Sequence, residues 1–132
     1  MKSFNLKVVT PDGLRFDQEV ESLLVRTDDG DVEFLAGHID YMASLGTGRA
    51  RIKEGGKDRF ASVSGGFVTV SRGEVKLVAI TFEFREDIDL ERARAARDEA
   101  KASISSAKDD KMVALAKAKL QRALSRIDVA EM

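Results

Sequence analysis

The residue order points to an α+β protein: an antiparallel β-sandwich, or flattened barrel, of about ten strands over residues 1–85, then an antiparallel two-helix hairpin over residues 86–132. Three observations carry that expectation. Apolar side chains alternate in twos through the first part, the period of strands with one buried face. Gly-rich turns interrupt the alternation at short, regular intervals. Beyond the stretch Glu83–Arg97 neither Gly nor Pro occurs up to Met132, and Ala, Lys, Arg and Glu dominate, so the period changes to that of a helix.

Phe4, Leu6 and Val8 alternate with Asn5 and Lys7, and a strand opens the chain. Thr10-Pro11-Asp12-Gly13 joins a fixed φ, a side chain able to bond its own backbone and a residue that accepts positive φ, so a tight turn follows. Leu14–Phe16 and Val20–Thr27 are the next strands, closed by Asp28-Asp29-Gly30-Asp31. A short apolar piece, Val32–Leu35, precedes Ala36-Gly37-His38, and Tyr41–Leu45 leads into Gly46-Thr47-Gly48. Arg49–Lys53 alternates around Ala50 and Ile52, and Glu54-Gly55-Gly56-Lys57 is a hairpin signal. Arg59–Val63, Phe67–Val70 and Val75–Phe84 complete the sheets, separated by Ser64-Gly65-Gly66 and Ser71-Arg72-Gly73-Glu74.

Asp87 is the expected N-cap of a first helix running to about Ala107, with Glu86, Asp89 and Glu91 suited to the positive end of its dipole. Its seam of Ala93, Ala96, Ala100, Ile104 and Ala107 is mostly alanine, so a neighbour can approach closely but little apolar area is buried. Asp109 or Asp110 caps a second helix whose apolar set is Met112, Leu115, Ala116, Leu120, Ala123, Leu124 and Ile127. Helices with so little mutual apolar surface depend on what they dock against, which suits a moving element.

A net charge of −1 gives no whole-chain case for nucleic-acid binding, and without Trp and with one Tyr there is no stacking platform for bases. The absence of Cys excludes disulfides and thiolate metal sites and fits a reducing compartment. The N-terminal residues lack the apolar core of a signal peptide, and no apolar run approaches the roughly 20 residues of a spanning helix, so membrane association is expected only through partners. His38 has no identifiable nucleophile or orienting carboxylate and reads as a structural loop residue. One His without Cys is poor metal-site material. Gly46-x-Gly48 and Gly56-Lys57 each meet Arg51 where a nucleotide fingerprint needs Gly. No catalytic residues and no metal ligands are assigned.

Charge bias is local. Lys111, Lys117, Lys119, Arg122 and Arg126 occur without an acidic residue among them, and Lys119, Arg122 and Arg126 share a face at spacings of three and four. Such a strip is either a solvated face near a helix C-terminus or a contact for an acidic partner or a phosphate.

The ordered segments Val8-Val9-Thr10-Pro11-Asp12-Gly13, Leu35-Ala36-Gly37-His38, Leu45-Gly46-Thr47-Gly48, Val63-Ser64-Gly65-Gly66-Phe67-Val68 and Ile88-Asp89-Leu90-Glu91-Arg92-Ala93 resemble the epsilon subunit of bacterial F-type ATP synthases over essentially the whole chain. The family usually has Gly at Glu33, Pro at Ala36 and Asp40, and an aliphatic residue at Tyr41, departures that cluster around His38. The resemblance implies a non-catalytic rotor subunit at the foot of the central stalk, coupling ion-driven rotation to ATP synthesis. Its partners would be the gamma subunit, the c-subunit ring and the alpha/beta catalytic head, and its location the cytoplasmic face of the cell membrane, as a peripheral part of the complex. The hairpin would fold on the sandwich or extend along gamma and obstruct hydrolysis, with His38 on the rotor side and the strip Lys111, Lys117, Lys119, Arg122 and Arg126 meeting an acidic segment of beta.

In some members the start of the first helix, with arginines of the second, binds ATP and holds the hairpin folded. The matching residues here are Glu83, Ile88, Asp89, Arg92, Ala93, Arg122 and Arg126, whereas Glu99 stands where those members have another arginine. No cofactor is required, and regulatory Mg-ATP is the one ligand the resemblance suggests. Guanidinium groups suit phosphate through paired hydrogen bonds; Asp89 and Arg92 also read simply as cap and brace of the helix. The other reading of the whole chain is a free-standing β-sandwich ligand-binding module whose helices form a dimerisation arm.

Overall fold

The structure, a computed structural model, describes residues 2–132. Ten strands follow in order: β1 (Phe4–Thr10), β2 (Gly13–Val20), β3 (Ser22–Thr27), β4 (Gly30–Leu35), β5 (Tyr41–Ser44), β6 (Gly48–Glu54), β7 (Lys57–Ser64), β8 (Phe67–Ser71), β9 (Glu74–Val78) and β10 (Thr81–Phe84). They form two five-stranded sheets, one in the order β2-β1-β9-β8-β5 and the other β10-β7-β6-β3-β4. Every pairing is antiparallel except β1 with β9, which is parallel.

The period-two alternation sorts the side chains. Leu6, Val8, Val68, Leu77, Leu23, Val25, Ile52, Ala61 and Phe34 are buried in one core cluster between the sheets, while their chain neighbours turn outward. Two strand expectations change. Val75–Phe84 is divided between β9 and β10, because Ala79 and Ile80 carry the chain from one sheet to the other without a Gly or Pro to signal it. Val20 closes β2, and the crossing falls at Glu21 before β3.

Close approach dictates one glycine. Gly66 has φ of 87°, and a Cβ there would lie 1.8 Å from the Val78 carbonyl oxygen, so no side chain fits between β7 and β8.

After β10 a single 3-10 turn, Arg85–Asp87, precedes α1 (Leu90–Ser106). The N-cap is Asp89, not Asp87: its side chain accepts the Arg92 N–H, whereas Asp87 is consumed by the turn and Ile88 is extended. Asp109 caps α2 (Asp110–Ala130) by accepting the Met112 N–H. The helices form the hairpin, and α2 makes the main contact to the sandwich, against β6 and β7. Ala93 and Ala100 of α1 and Ala116, Ala123 and Ile127 of α2 are buried, but Met112, Leu115 and Leu124 are exposed, contrary to their place in the expected apolar set. The bonds from α2 side chains to the sandwich all begin at Ser125 or later, so the first turns of α2 carry Met112 and Leu115 past that contact. Val129, fully buried, joins Ile127 as a large buried apolar side chain of the helix.

Candidate functional site: a cleft between sandwich and hairpin

β10 alternates, so Phe82 enters the core and Glu83 faces the hairpin. One carboxylate oxygen of Glu83 accepts a hydrogen bond from Arg126 Nε at 2.9 Å, an ion pair whose side chains are 33 % and 28 % exposed. Further ties hold the same region. Ser62 of β7 and Ser125 of α2 share a buried hydroxyl hydrogen bond of 2.8 Å. Arg49 reaches Asp128 at 3.6 Å, Arg94 of α1 reaches Glu131 at 3.4 Å, and Arg59 donates to Glu86 at 2.6 Å while its guanidinium lies 3.8 Å from the centre of the Phe84 ring. The Arg59 hydrogen bond, aided by a backbone bond, holds the Glu86 carboxyl below its ordinary value.

Beside the Glu83–Arg126 pair lies a cleft of about 420 Å³. Glu83, Asp89, Arg92, Ala93 and Arg126 line it; Ile88 and Arg122 do not. Five of the seven candidate nucleotide residues therefore share one concavity. Arg122 is half-buried on α2, one turn before Arg126. Glu99 is exposed and does not line the cleft, whose α1 wall runs only as far as Ala96. The opposite wall belongs to the sandwich, with Thr10, Asp12 and Arg15 from the β1–β2 hairpin and Ile80 from the β9–β10 corner. These four were not among the candidates, because the alternation there reads as plain strand and turn.

A second depression, of about 490 Å³, lies between α2 and the outer face of β3 and β6. Its arginines are already engaged: Arg26 with Asp31, Arg49 with Asp128, and Arg51 with Glu33. The Nε of Arg51 is buried there without a hydrogen-bond partner among the described residues.

His38 sits in the loop between β4 and β5, its ring edge-on to Phe34 at 5.0 Å and to Tyr41 at 5.9 Å. Its Nδ1 is 2.8 Å from the Ile39 carbonyl oxygen, so that nitrogen carries the proton. Around it Leu35, Ile39 and Met42 are exposed by 53 %, 78 % and 68 %, an apolar rim on the edge strands of both sheets. Glu33 pairs with Arg51, and Asp40 accepts the backbone N–H of Arg72 at 3.1 Å, steadying a turn in which Arg72 has a φ of 51°. On α2, Lys111, Lys117 and Lys119 are exposed, while Arg126 is turned into the cleft and does not extend the strip outward. Among the described residues no group of three or more His, Cys, Asp or Glu is placed to hold a metal ion.

A twin-sheet sandwich followed by a helix pair whose second helix docks on β6 and β7 defines a two-part α+β protein. The sandwich, residues 3–85, matches the family model described as ATP synthase, Delta/Epsilon chain, beta-sandwich domain, and residues 86–131 match that described as ATP synthase, Delta/Epsilon chain, long alpha-helix domain. The chain is 43 % identical to a protein named ATP synthase epsilon chain from Bacillus subtilis (strain 168), over 98 % of each chain. A protein of the same name from Bacillus velezensis is 41 % identical, again over 98 % of each chain. Among solved structures, a chain of the Euglena gracilis mitochondrial ATP synthase, OSCP/F1/c-ring in rotational state 1, superposes with a TM-score of 0.82 at 26 % identity, over 98 % of this chain and 82 % of that one. A chain from the central stalk and c-ring of the Tetrahymena thermophila mitochondrial ATP synthase shares the fold, with a TM-score of 0.69 at 13 % identity over 98 % and 97 % of the two chains. The chain belongs to the ATP synthase delta/epsilon chain family, in its epsilon branch.

Proposed function

We infer that this chain works as the epsilon subunit of an F-type ATP synthase, a non-catalytic member of the central stalk. The observation that carries the reading is that sandwich and hairpin both match their family models, in order and almost end to end. The gamma subunit, the c-ring and the alpha/beta head are its partners, and in this reading it meets the bilayer through them; among the described residues no helix is long and apolar enough to cross a membrane. The side of the membrane it occupies is the cytoplasmic one in this reading. The exposed apolar rim around His38 suits burial against another rotor subunit. Adding the chain to an alpha–beta–gamma core tests the reading. Stable co-elution through gamma is expected, and a homodimer that ignores gamma would overturn it in favour of a free-standing module.

The hairpin is the regulatory part of this proposal. Its polar ties to the sandwich are a half-buried ion pair, a serine–serine hydrogen bond and exposed arginine–carboxylate pairs, beside the buried Ile127 and Val129, and this docked form is taken as one of two packings separated by a few kcal/mol. Extended, the helices would offer Lys111, Lys117, Lys119 and Arg122, with Arg126 once it leaves Glu83, to an acidic partner and obstruct hydrolysis. The cleft lined by Glu83, Asp89, Arg92, Ala93 and Arg126 would take MgATP, favouring the docked hairpin. What supports this is the convergence of those residues on one concavity, whose lining does not include Glu99. Calorimetric titration of the full chain with MgATP tests it: saturable heat at or below millimolar nucleotide is expected, and none at that concentration overturns it.

A further inference from the structure

Arg15 stands out from the rest of β2. In the β1–β2 ladder Val8 pairs with Phe16 and Val9 with Leu14, so Arg15 has no partner across the strand and is the extra residue of a β-bulge. A bulge bends its strand and re-aims the side chain it carries, which is why bulges collect beside binding sites. The arginine it carries lines the cleft between sandwich and hairpin, is exposed, and makes no ion pair with any described residue.

Charges in the cleft are unevenly committed. Arg126 is held by Glu83, and the carboxylate of Asp89 is occupied by the Arg92 N–H. Among the described residues the guanidiniums of Arg92 and Arg15 have no carboxylate partner, and one comes from α1 and the other from the sandwich; Asp12 and Asp87 also line the cleft without an ion pair. Two unpaired, forked cations across a cleft of this size suit a ligand with several anionic oxygens along its length, a polyphosphate chain, better than a single carboxylate.

We propose that Arg15 is a phosphate-binding residue, the contact through which the sandwich itself grips a polyphosphate ligand held by the hairpin. This rests on the reading of the cleft as a nucleotide site. A phosphate chain bound between Arg15 and Arg92 ties the two bodies together, so ligand and docked hairpin stabilise each other by linkage. Arg15 thereby supplies from the sandwich a cation that α1, with Glu99 outside the cleft, does not provide.

Full-length chain, Arg15→Gln and Arg15→Lys are titrated calorimetrically with MgATP and, separately, with inorganic triphosphate. Because Arg15 has no ion pair to lose, both variants are expected to keep the melting temperature of the ligand-free chain. Arg15→Gln should weaken MgATP by about tenfold, the scale of one hydrogen-bonded charge, and Arg15→Lys by less, since the charge stays and the fork goes. Inorganic triphosphate should show the same order among the three proteins. Unchanged MgATP affinity in Arg15→Gln overturns the assignment while leaving the nucleotide reading intact. Weakened MgATP with unchanged triphosphate moves the contact to the nucleoside and also overturns it. If the unaltered chain binds neither ligand at millimolar concentration, the nucleotide reading itself fails and the proposal falls with it.

Discussion

Glu83 and Arg126 are 43 residues apart in the chain and 2.9 Å apart in space, so their bond reports directly on docking of the hairpin. Both side chains keep about a third of their exposure, which limits the pair to roughly 1 kcal/mol. Arg126→Gln is expected to speed amide exchange in the last turns of α2 several-fold while leaving the core strands unchanged, as hydrogen exchange would measure; uniform exchange in both proteins would count against the latch. Arg59 and Glu86 offer a titration. The folded pKa of Glu86 lies below its unfolded value, so the folded state binds this proton less readily. The stability it adds is present above the unfolded value and is lost as pH falls through the lower, folded one. With Glu86 58 % exposed the effect on stability is small. The sharper expectation is that Arg59→Gln moves the Glu86 titration upward in an NMR experiment. Gly66→Ala is the severe substitution: with the Val78 carbonyl in the way and a positive φ, a loss of about 3 kcal/mol or more is expected in chemical denaturation. At this scale the hairpin wall of the cleft was legible, because Asp89, Arg92 and Ala93 stand together in one motif. The sandwich wall was not, since a bulge at Arg15 leaves no mark on an alternating pattern.

At the scale of elements, the alanine seam decides how the helices pair. Ala93, Ala100, Ala116 and Ala123 are buried, so the helices approach closely and bury little area. Ala123→Leu places an isobutyl group where no space remains, at a cost of about 1–3 kcal/mol, and should lower the melting of the helical signal before that of the sandwich. Simultaneous melting of both would mean that the hairpin is an integral part of the core. The turns were plain in the sequence wherever Gly marked them, as at Gly55-Gly56 between β6 and β7. The β9–β10 corner at Ala79-Ile80 was not, because sheet crossing there follows from which face each strand buries. The start of α1 was displaced from Asp87 to Asp89 for a related reason: both aspartates can cap, and the 3-10 turn after Phe84 selects between them.

For the whole molecule, composition and period separated a β body from a helical arm, and ten strands and two helices occupy the expected parts of the chain. How the arm lies on the body was not legible. That depends on Ser62 with Ser125, Arg49 with Asp128 and Glu83 with Arg126, pairs whose members are far apart in sequence and ordinary in kind. The same pairs provide a test of the proposed hairpin movement. No cysteine is present, and the Ser62 and Ser125 hydroxyls are 2.8 Å apart, so the double variant Ser62→Cys, Ser125→Cys would place two thiols side by side for cross-linking. ATP hydrolysis by the assembled enzyme would be compared for this variant, oxidised and reduced, for the unaltered chain, and for a chain ending at residue 87. The oxidised variant is expected to hydrolyse ATP as fast as the truncated one, and reduction to return it to the slower rate of the unaltered chain. Equal rates in all four states would contradict a hairpin that leaves the sandwich to restrain the motor.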